Sequence, residues 1–143
     1  MIRITLDTNQ LVRALMRPPE LATFMMSWQS NRFRVVASQE LLDEYDRVLL
    51  YPEIRPLIFA ELLRAYRSHL LKLIEIIPLL VIAPVCRDPD DDKVIATAIY
   101  GRVAYLVSED DDVQTPTVRA LLQQYGISVL SAQQLLNVLD MNI

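Results

Sequence analysis

The sequence predicts an α/β fold, in which helices cover both faces of a mostly parallel sheet. Short apolar runs typical of strands alternate with helical patterns along the whole chain. In the first run, Ile2, Ile4 and Leu6 alternate with polar residues, which is the two-residue period of a strand. No linker, internal repeat or low-complexity segment interrupts this alternation, so residues 1–143 are predicted to form a single domain.

Apolar spacing and start and stop residues locate the individual elements. The predicted strands are residues 2–6, 33–37, 79–82, 103–107 and 127–130. The predicted helices are residues 9–16, 20–29, 39–50, 57–75, 88–100 and 115–125, with a short last helix after residue 131. Ser38 caps the third helix, and a polar residue followed by proline starts the helices at Asp88 and Thr115. Gly101 and Gly126 end those two helices.

Composition excludes several classes of protein. The chain has 143 residues, of which 52% are hydrophobic, and its net charge of −4 disfavours a protein that holds nucleic acid by bulk positive charge. Cys86 is the single cysteine, so an intramolecular disulfide is excluded. The two glycines are too few for a Gly-rich phosphate loop or a dinucleotide fingerprint. Because no apolar run reaches the ~20 residues that span a bilayer, and no signal-peptide pattern is present, we expect a cytoplasmic protein.

Two isolated acids are candidates for a functional site. Asp7 follows the first strand, and open α/β sheets place their active sites at the carboxyl ends of strands. An aspartate at that position can also simply cap the next helix. Glu44 borders the apolar stripe of its helix, which is equally a position for an ordinary rim residue.

Two acidic runs are the other candidates. Asp88, Asp90, Asp91 and Asp92 crowd the start of one helix, where the helix dipole favours anions. Asp91 and Asp92 both lie near the apolar stripe of this helix, and periodicity does not choose between them. Residues 109–112 are all acidic and follow a buried strand, so they are expected at the same sheet edge as Asp7, although acidic loops are usually just solvated.

Carboxylates gathered at one sheet edge need a counter-charge, because they repel one another and raise each other's pKa. Hard divalent cations such as Mg²⁺ and Mn²⁺ prefer oxygen ligands and would supply that charge. His69 is the only histidine, and we find no histidine, cysteine or serine constellation for nucleophilic catalysis. The chemistry that the residues favour is therefore hydrolysis by metal-activated water.

Four segments, taken together and in this order, resemble the PIN-domain family. They are Leu6–Asn9, Ser38 through Glu44 to Leu49, Cys86–Lys93, and Tyr105–Asp110. The resemblance covers nearly the whole chain. The most similar branch comprises small bacterial and archaeal VapC-like proteins, which are ribonuclease toxins of type II toxin–antitoxin systems.

The resemblance implies a Rossmann-like three-layer α/β/α sandwich and a Mg²⁺- or Mn²⁺-dependent endoribonuclease that hydrolyses RNA phosphodiester bonds. The family's catalytic acids fall, in this sequence, on Asp7, Glu44, Asp92 and Asp110. This match favours Asp92 over Asp91. The same acids and Asp112 are expected to hold the metal, while Asn9 and Ser108 match residues that position the acids or the phosphate.

The sequence departs from the family pattern beside the last acids. Glu109 stands where the family usually has glycine, which adds a negative charge next to the expected site. Residues 110–114 match the usual ending of this motif only weakly, and Gln10 stands where an aliphatic residue is common. None of these departures removes an expected metal ligand.

The resemblance also implies protein partners. Members of the family commonly form homodimers, and a cognate antitoxin often blocks the site with a basic side chain. The apolar helices 20–29 and 57–75 could supply a dimer face or simply the core. Glu109 and the acidic loop favour an alternative function, a weakly active or inactive PIN-fold module that acts through a protein partner. A phospho-acceptor receiver domain is disfavoured, because the strand at 33–37 is followed by Ser38 rather than by an aspartate.

Overall fold

A computed structural model describes residues 1–81 and 91–141 of the chain. Its strands are β1 (Ile2–Leu6), β2 (Phe33–Ser38), β3 (Glu75–Ile77), β4 (Tyr105–Val107) and β5 (Ser128–Leu130). They form one sheet in the order β3-β2-β1-β4-β5, and every neighbouring pair is parallel. The predicted α/β fold with a parallel sheet is therefore confirmed.

The helices of the described residues lie between and after these strands. They are α1 (Thr8–Leu15), α2 (Ala22–Gln29), α3 (Gln39–Leu49), α4 (Ala60–Ala65), α5 (Leu71–Leu73), α6 (Asp92–Tyr100), α7 (Pro116–Gln123) and α8 (Ala132–Met141). The predicted caps are present: Ser38 Oγ accepts the Leu41 N–H, and Thr115 Oγ1 accepts the Val118 N–H. In this part of the chain, no helix combines the length and the apolar character needed to cross a membrane.

The strand order creates a crevice at one edge of the sheet. From β1 the chain passes to β2 on one side and later to β4 on the other, so the topology switches between β1 and β4. Leu6 pairs with Val107 at the carboxyl ends of these strands, and the Asp7 N–H donates to the Val107 carbonyl at 3.1 Å. Asp7 and Ser108, the next residue after each strand, therefore lie side by side at the crevice.

Two close contacts fix the helices that border the crevice. The Tyr45 hydroxyl of α3 is buried and donates to the Leu6 carbonyl, which attaches α3 to the end of β1. Helix α6 packs on β1 and β2 and ends at Gly101. A Cβ added at Gly101 would lie 2.8 Å from both the Thr97 carbonyl oxygen and Val36 Cγ1, so glycine permits the close approach of α6 to β2.

The structure corrects the predicted elements around residues 55–82. Strand β3 is Glu75–Ile77, whereas the strand was predicted at 79–82; residues 79–81 are not extended strand, and Ile82 lies outside the described residues. The predicted helix 57–75 is divided into α4, a π-helical turn at Tyr66–Leu70, and α5. Apolar spacing could not locate this boundary, because the isoleucines at 74, 76 and 77 continue the apolar stripe of the helix. The predicted helix start at Asp88 lies outside the described residues.

Candidate metal centre

Asp7 lies at the carboxyl end of β1 and is only 3% exposed. Although it precedes α1, its side chain makes no capping hydrogen bond to that helix. Instead its Oδ2 accepts a hydrogen bond from Ser108 Oγ at 2.7 Å. The pKa of Asp7 is raised to about 6, chiefly by burial; the charges of Asp110 and Glu44 also raise this pKa, while the Ser108 hydrogen bond lowers it. Burial and the neighbouring carboxylates therefore disfavour the charged form of Asp7.

The loop after β4 is held in a defined shape by hydrogen bonds to its own polar side chains. The Asp110 N–H donates to Ser108 Oγ at 3.0 Å, and the Asp112 N–H donates to Asp110 Oδ1 at 2.9 Å. Gln114 Nε2 donates to the Ser108 carbonyl at 3.2 Å. Ser108 therefore connects Asp7 to the backbone of Asp110 and aligns the acidic loop with the end of β1.

The start of α6 brings a third acid to this loop. Asp91, Asp110 and Asp112 each offer a carboxylate oxygen, and these oxygens all lie within 4.8 Å of one another. All three residues are partly exposed, so the group is open to solvent.

Asp92 is more deeply buried than its neighbour Asp91. It is 5% exposed and lines a cavity of about 530 Å³ with Ile95, Ala96 and Ile99, which lie on one face of α6. Asp91 is the residue of the aspartate run whose carboxylate lies with those of Asp110 and Asp112.

Glu44 is buried on α3 and is held by three side chains. Its Oε2 accepts a hydrogen bond from Thr8 Oγ1, and its Oε1 lies 3.1 Å from Lys93 Nζ and 3.7 Å from Arg47 Nη2. Because Glu44 contributes to the raised pKa of Asp7, the two carboxylates influence one another electrostatically. Glu44 therefore borders the acidic centre but is largely neutralised by its own partners.

The remaining expected residues have separate environments. Ser108 is buried between Asp7 and Asp110, as described above, whereas Asn9 is exposed on the first turn of α1. The unusual Glu109 is exposed and forms an ion pair with Arg13 of α1, so its charge is balanced on the rim of the crevice. His69 is exposed on the π-helical turn.

A family model described as PIN domain matches residues 3–112. The chain belongs to the PIN-domain family. A comparison with curated proteins gives no match. PIN domains are generally metal-dependent nucleases, so the fold is of the nuclease type, and the acidic group at Asp91, Asp110 and Asp112 is suited to a metal ion.

The donor set of this PIN domain fits a hard divalent cation. Asp91, Asp110 and Asp112 offer only oxygen ligands, which suit Mg²⁺ or Mn²⁺ better than softer metals. Asp7 lies at the same edge of the sheet, where burial, and to a smaller extent the charges of Asp110 and Glu44, raise its pKa. A bound cation would relieve both the repulsion within the group and the electrostatic strain at Asp7.

Two residues of this centre lie in segments that carry the family resemblance, but the sequence analysis predicted no role for them. Thr8 follows Asp7 and donates a hydrogen bond to Glu44. In the sequence, its position is equally typical of the first residue of a helix. Lys93 lies directly after the aspartate run and pairs with Glu44 across the gap between α6 and α3. Because Lys93 follows four aspartates, the sequence alone favours a role as their local counter-ion. Its partner in the structure is instead Glu44, which is distant in sequence.

Proposed function

We propose that this PIN domain is an endoribonuclease that hydrolyses RNA phosphodiester bonds with the help of Mg²⁺ or Mn²⁺. The observation that carries the proposal is the meeting of Asp91, Asp110 and Asp112 beside the buried Asp7, at the topological switch of the sheet. The charge of Asp110 contributes to the raised pKa of Asp7, although burial is its main cause, and this supports the closeness of these two acids. We further propose that the protein is the toxin of a toxin–antitoxin pair.

In the proposed site the metal ligands are Asp91, Asp110 and Asp112, with Asp7 behind them. The role that the resemblance implied for Asp92 is thereby assigned to Asp91, because its carboxylate approaches those of Asp110 and Asp112. A bound Mg²⁺ or Mn²⁺ would supply positive charge for the scissile phosphate and would make water a better nucleophile.

The other side chains hold and orient the acids. Ser108 donates a hydrogen bond to Asp7 and accepts one from the Asp110 N–H, so it fixes the position of Asp110 relative to Asp7. Thr8 holds Glu44 at the border of the site. Asn9 is exposed on the first turn of α1 and presents an amide that can donate to a phosphate oxygen of the substrate.

In-line attack by water on the phosphorus, with departure of the 3′ oxygen, leaves a 5′-phosphate on the downstream fragment. The experiment incubates purified protein and a fluorescently labelled single-stranded RNA with Mn²⁺, with Mn²⁺ plus excess EDTA, and with a DNA strand of the same sequence as substrate. We expect Mn²⁺-dependent RNA fragments with 5′-phosphates. The 5′-phosphate distinguishes this activity from contaminating ribonucleases that produce cyclic phosphates.

Variants test the residue assignment. Asp7→Asn and Asp110→Asn should each reduce cleavage by more than ~100-fold, because each removes a charge of the site itself. Asp140→Asn is the matched control, since Asp140 is exposed on α8 and its ion pair with Arg32 lies at the surface. Unchanged Mn²⁺-dependent cleavage by Asp7→Asn would refute the assignment. A folded protein that binds no Mn²⁺ and cuts no RNA would instead favour the binding-module alternative.

We also propose a homodimer and an antitoxin partner. Leu50, Tyr51 and Leu57 are exposed in the segment between α3 and α4, which supports a protein-contact surface there. Light scattering of the purified chain tests the dimer, and Leu57→Glu should shift a dimer toward monomer. Co-purification with the product of a neighbouring gene, and loss of ribonuclease activity in that complex, tests the antitoxin.

A further inference from the structure

The acids of the centre fall into two groups that have different neighbours. Asp91, Asp110 and Asp112 gather their carboxylates at the open side of the crevice. Glu44 is outside this group and lies on α3, where it contacts Thr8 and Lys93. The question is whether Glu44 completes a second cation site or is already paired within the protein.

Both carboxylate oxygens of Glu44 are engaged by the protein itself. Oε2 accepts a hydrogen bond from Thr8 Oγ1. Oε1 is 3.1 Å from Lys93 Nζ and 3.7 Å from Arg47 Nη2. A metal ion at Glu44 would have to displace one of these partners and would meet the Lys93 ammonium at close range.

Lys93 balances the charge of Glu44 more effectively than Arg47 does. Its side chain is 18% exposed, compared with 53% for Arg47, and the Glu44 side chain is 9% exposed. Water and salt therefore screen the Lys93–Glu44 pair less than the Arg47–Glu44 pair. Removal of Lys93 would leave a buried carboxylate without its main counter-charge.

The position of Lys93 is fixed by the same helical turn that supplies Asp91. The Lys93 carbonyl accepts a hydrogen bond from Thr97 Oγ1 at 2.7 Å, and Thr97 Oγ1 lies 2.7 Å from Ser38 Oγ at the start of α3. These bonds connect α6 to the strand and helix that carry Glu44. The Lys93–Glu44 pair is therefore built into the packing of α3 and α6.

We propose that Lys93 is a fixed counter-ion of Glu44, and that this PIN domain consequently takes up one divalent cation, at Asp91, Asp110 and Asp112. In this arrangement Glu44 is a positioning residue whose charge is balanced by Lys93, and it does not hold a second metal ion. The inference rests on the proposed function, because it specifies the metal content of the proposed site.

The test counts Mn²⁺ ions by isothermal titration calorimetry and by electron paramagnetic resonance of free Mn²⁺. The wild-type chain should bind one Mn²⁺, and Lys93→Met should bind a second, weaker one at the uncompensated charge of Glu44. Lys93→Arg keeps the positive charge and should return the count to one. Arg47→Met is the matched control, since it removes a cation near the same carboxylate and should leave the count at one.

A second variant keeps the test valid if Lys93→Met does not fold. Glu44→Gln should retain the single Mn²⁺ with an affinity within about tenfold of wild type, as expected for a residue outside the ligand set. Loss of that Mn²⁺ would show that Glu44 is a ligand and would overturn the inference.

Other results separate this inference from the proposed function. Two Mn²⁺ ions in the wild-type protein, or one in both wild type and folded Lys93→Met, would overturn the inference while leaving a metal-dependent nuclease intact. A folded wild-type protein that binds no Mn²⁺ would overturn the inference and the proposed metal centre together.

Discussion

Replacement of Asp7 by asparagine should stabilise the metal-free protein while it abolishes catalysis. Asparagine has nearly the same shape, and its side-chain oxygen can still accept the hydrogen bond from Ser108. The substitution removes a buried negative charge whose pKa is raised from 3.8 to about 6. A metal site of this kind therefore trades stability of the empty protein for affinity toward the cation.

The magnitude follows from the pKa of Asp7. Between pH 4 and 6 the folded protein holds a proton on Asp7 that the unfolded chain has lost, so the unfolding free energy falls as the pH rises through this range. At pH values above both the folded and the unfolded pKa, the buried charge of Asp7 lowers the unfolding free energy by about 3 kcal/mol, because each pKa unit corresponds to ~1.4 kcal/mol. At pH 7.5, Asp7→Asn should thus be more stable by up to about 3 kcal/mol, which raises Tm by roughly 6–10 °C.

Urea unfolding in EDTA, followed by fluorescence of the buried Trp28, measures this effect. The increase in unfolding free energy caused by Asp7→Asn should be large at pH 7.5. It should nearly vanish at pH 4, where the carboxyl of Asp7 in the folded wild-type protein is largely protonated. Asp140→Asn, at an exposed position, should show no such pH dependence. If Asp7→Asn is equally destabilised at both pH values, the carboxylate does not carry the burial cost and the reasoning fails.

Three further substitutions test the framework around the site. Ser108→Ala removes the hydrogen bond that lowers the pKa of Asp7; Mn²⁺ affinity in calorimetry should fall by about tenfold, and unchanged affinity would show that Ser108 does not orient the acids. Tyr45→Phe leaves the Leu6 carbonyl without its buried donor and should cost about 1–3 kcal/mol in urea unfolding. Gly101→Ala introduces a Cβ 2.8 Å from two neighbouring atoms and should lower stability by about 1–3 kcal/mol; a neutral result would mean that α6 can shift away from β2.

The sequence best predicted the site residues that directly follow strands, because the carboxyl ends of neighbouring parallel strands lie at the same edge of a sheet. Asp7 and the acids after β4 follow paired parallel strands, so their proximity depends only on strand order and direction. The contact between Ser108 and Asp7 follows from the same rule, because Ser108 comes directly after β4 and its short polar side chain reaches Asp7. These are features that a local pattern and a topology can predict together.

The start of α6 was less predictable for a geometric reason. Adjacent helical residues point about 100° apart, so a small change in where the helix begins decides whether Asp91 or Asp92 faces the acidic loop. In the structure Asp91 joins that loop, and Asp92 faces the cavity beside Ile95 and Ile99. The apolar stripe borders both acids and could not fix the helical phase.

The pairing of Lys93 with Glu44 and of Glu109 with Arg13 depends on packing between elements distant in sequence. The α3–α6 approach sets the first pair, and the position of α1 beside the β4 loop sets the second. Charge patterns within one helix carry no information on such contacts. The added charge of Glu109, which the sequence places next to the expected site, is balanced on the rim by Arg13.

A crystal structure of the protein grown with Mn²⁺, with data collected for anomalous scattering of manganese, tests the central claim most directly. We predict one strong anomalous peak within coordination distance of Asp91, Asp110 and Asp112, with Asp7 beside it and Lys93 still paired with Glu44. A peak at Asp92 inside the α6 cavity, or none near the carboxyl ends of β1 and β4, would contradict the account.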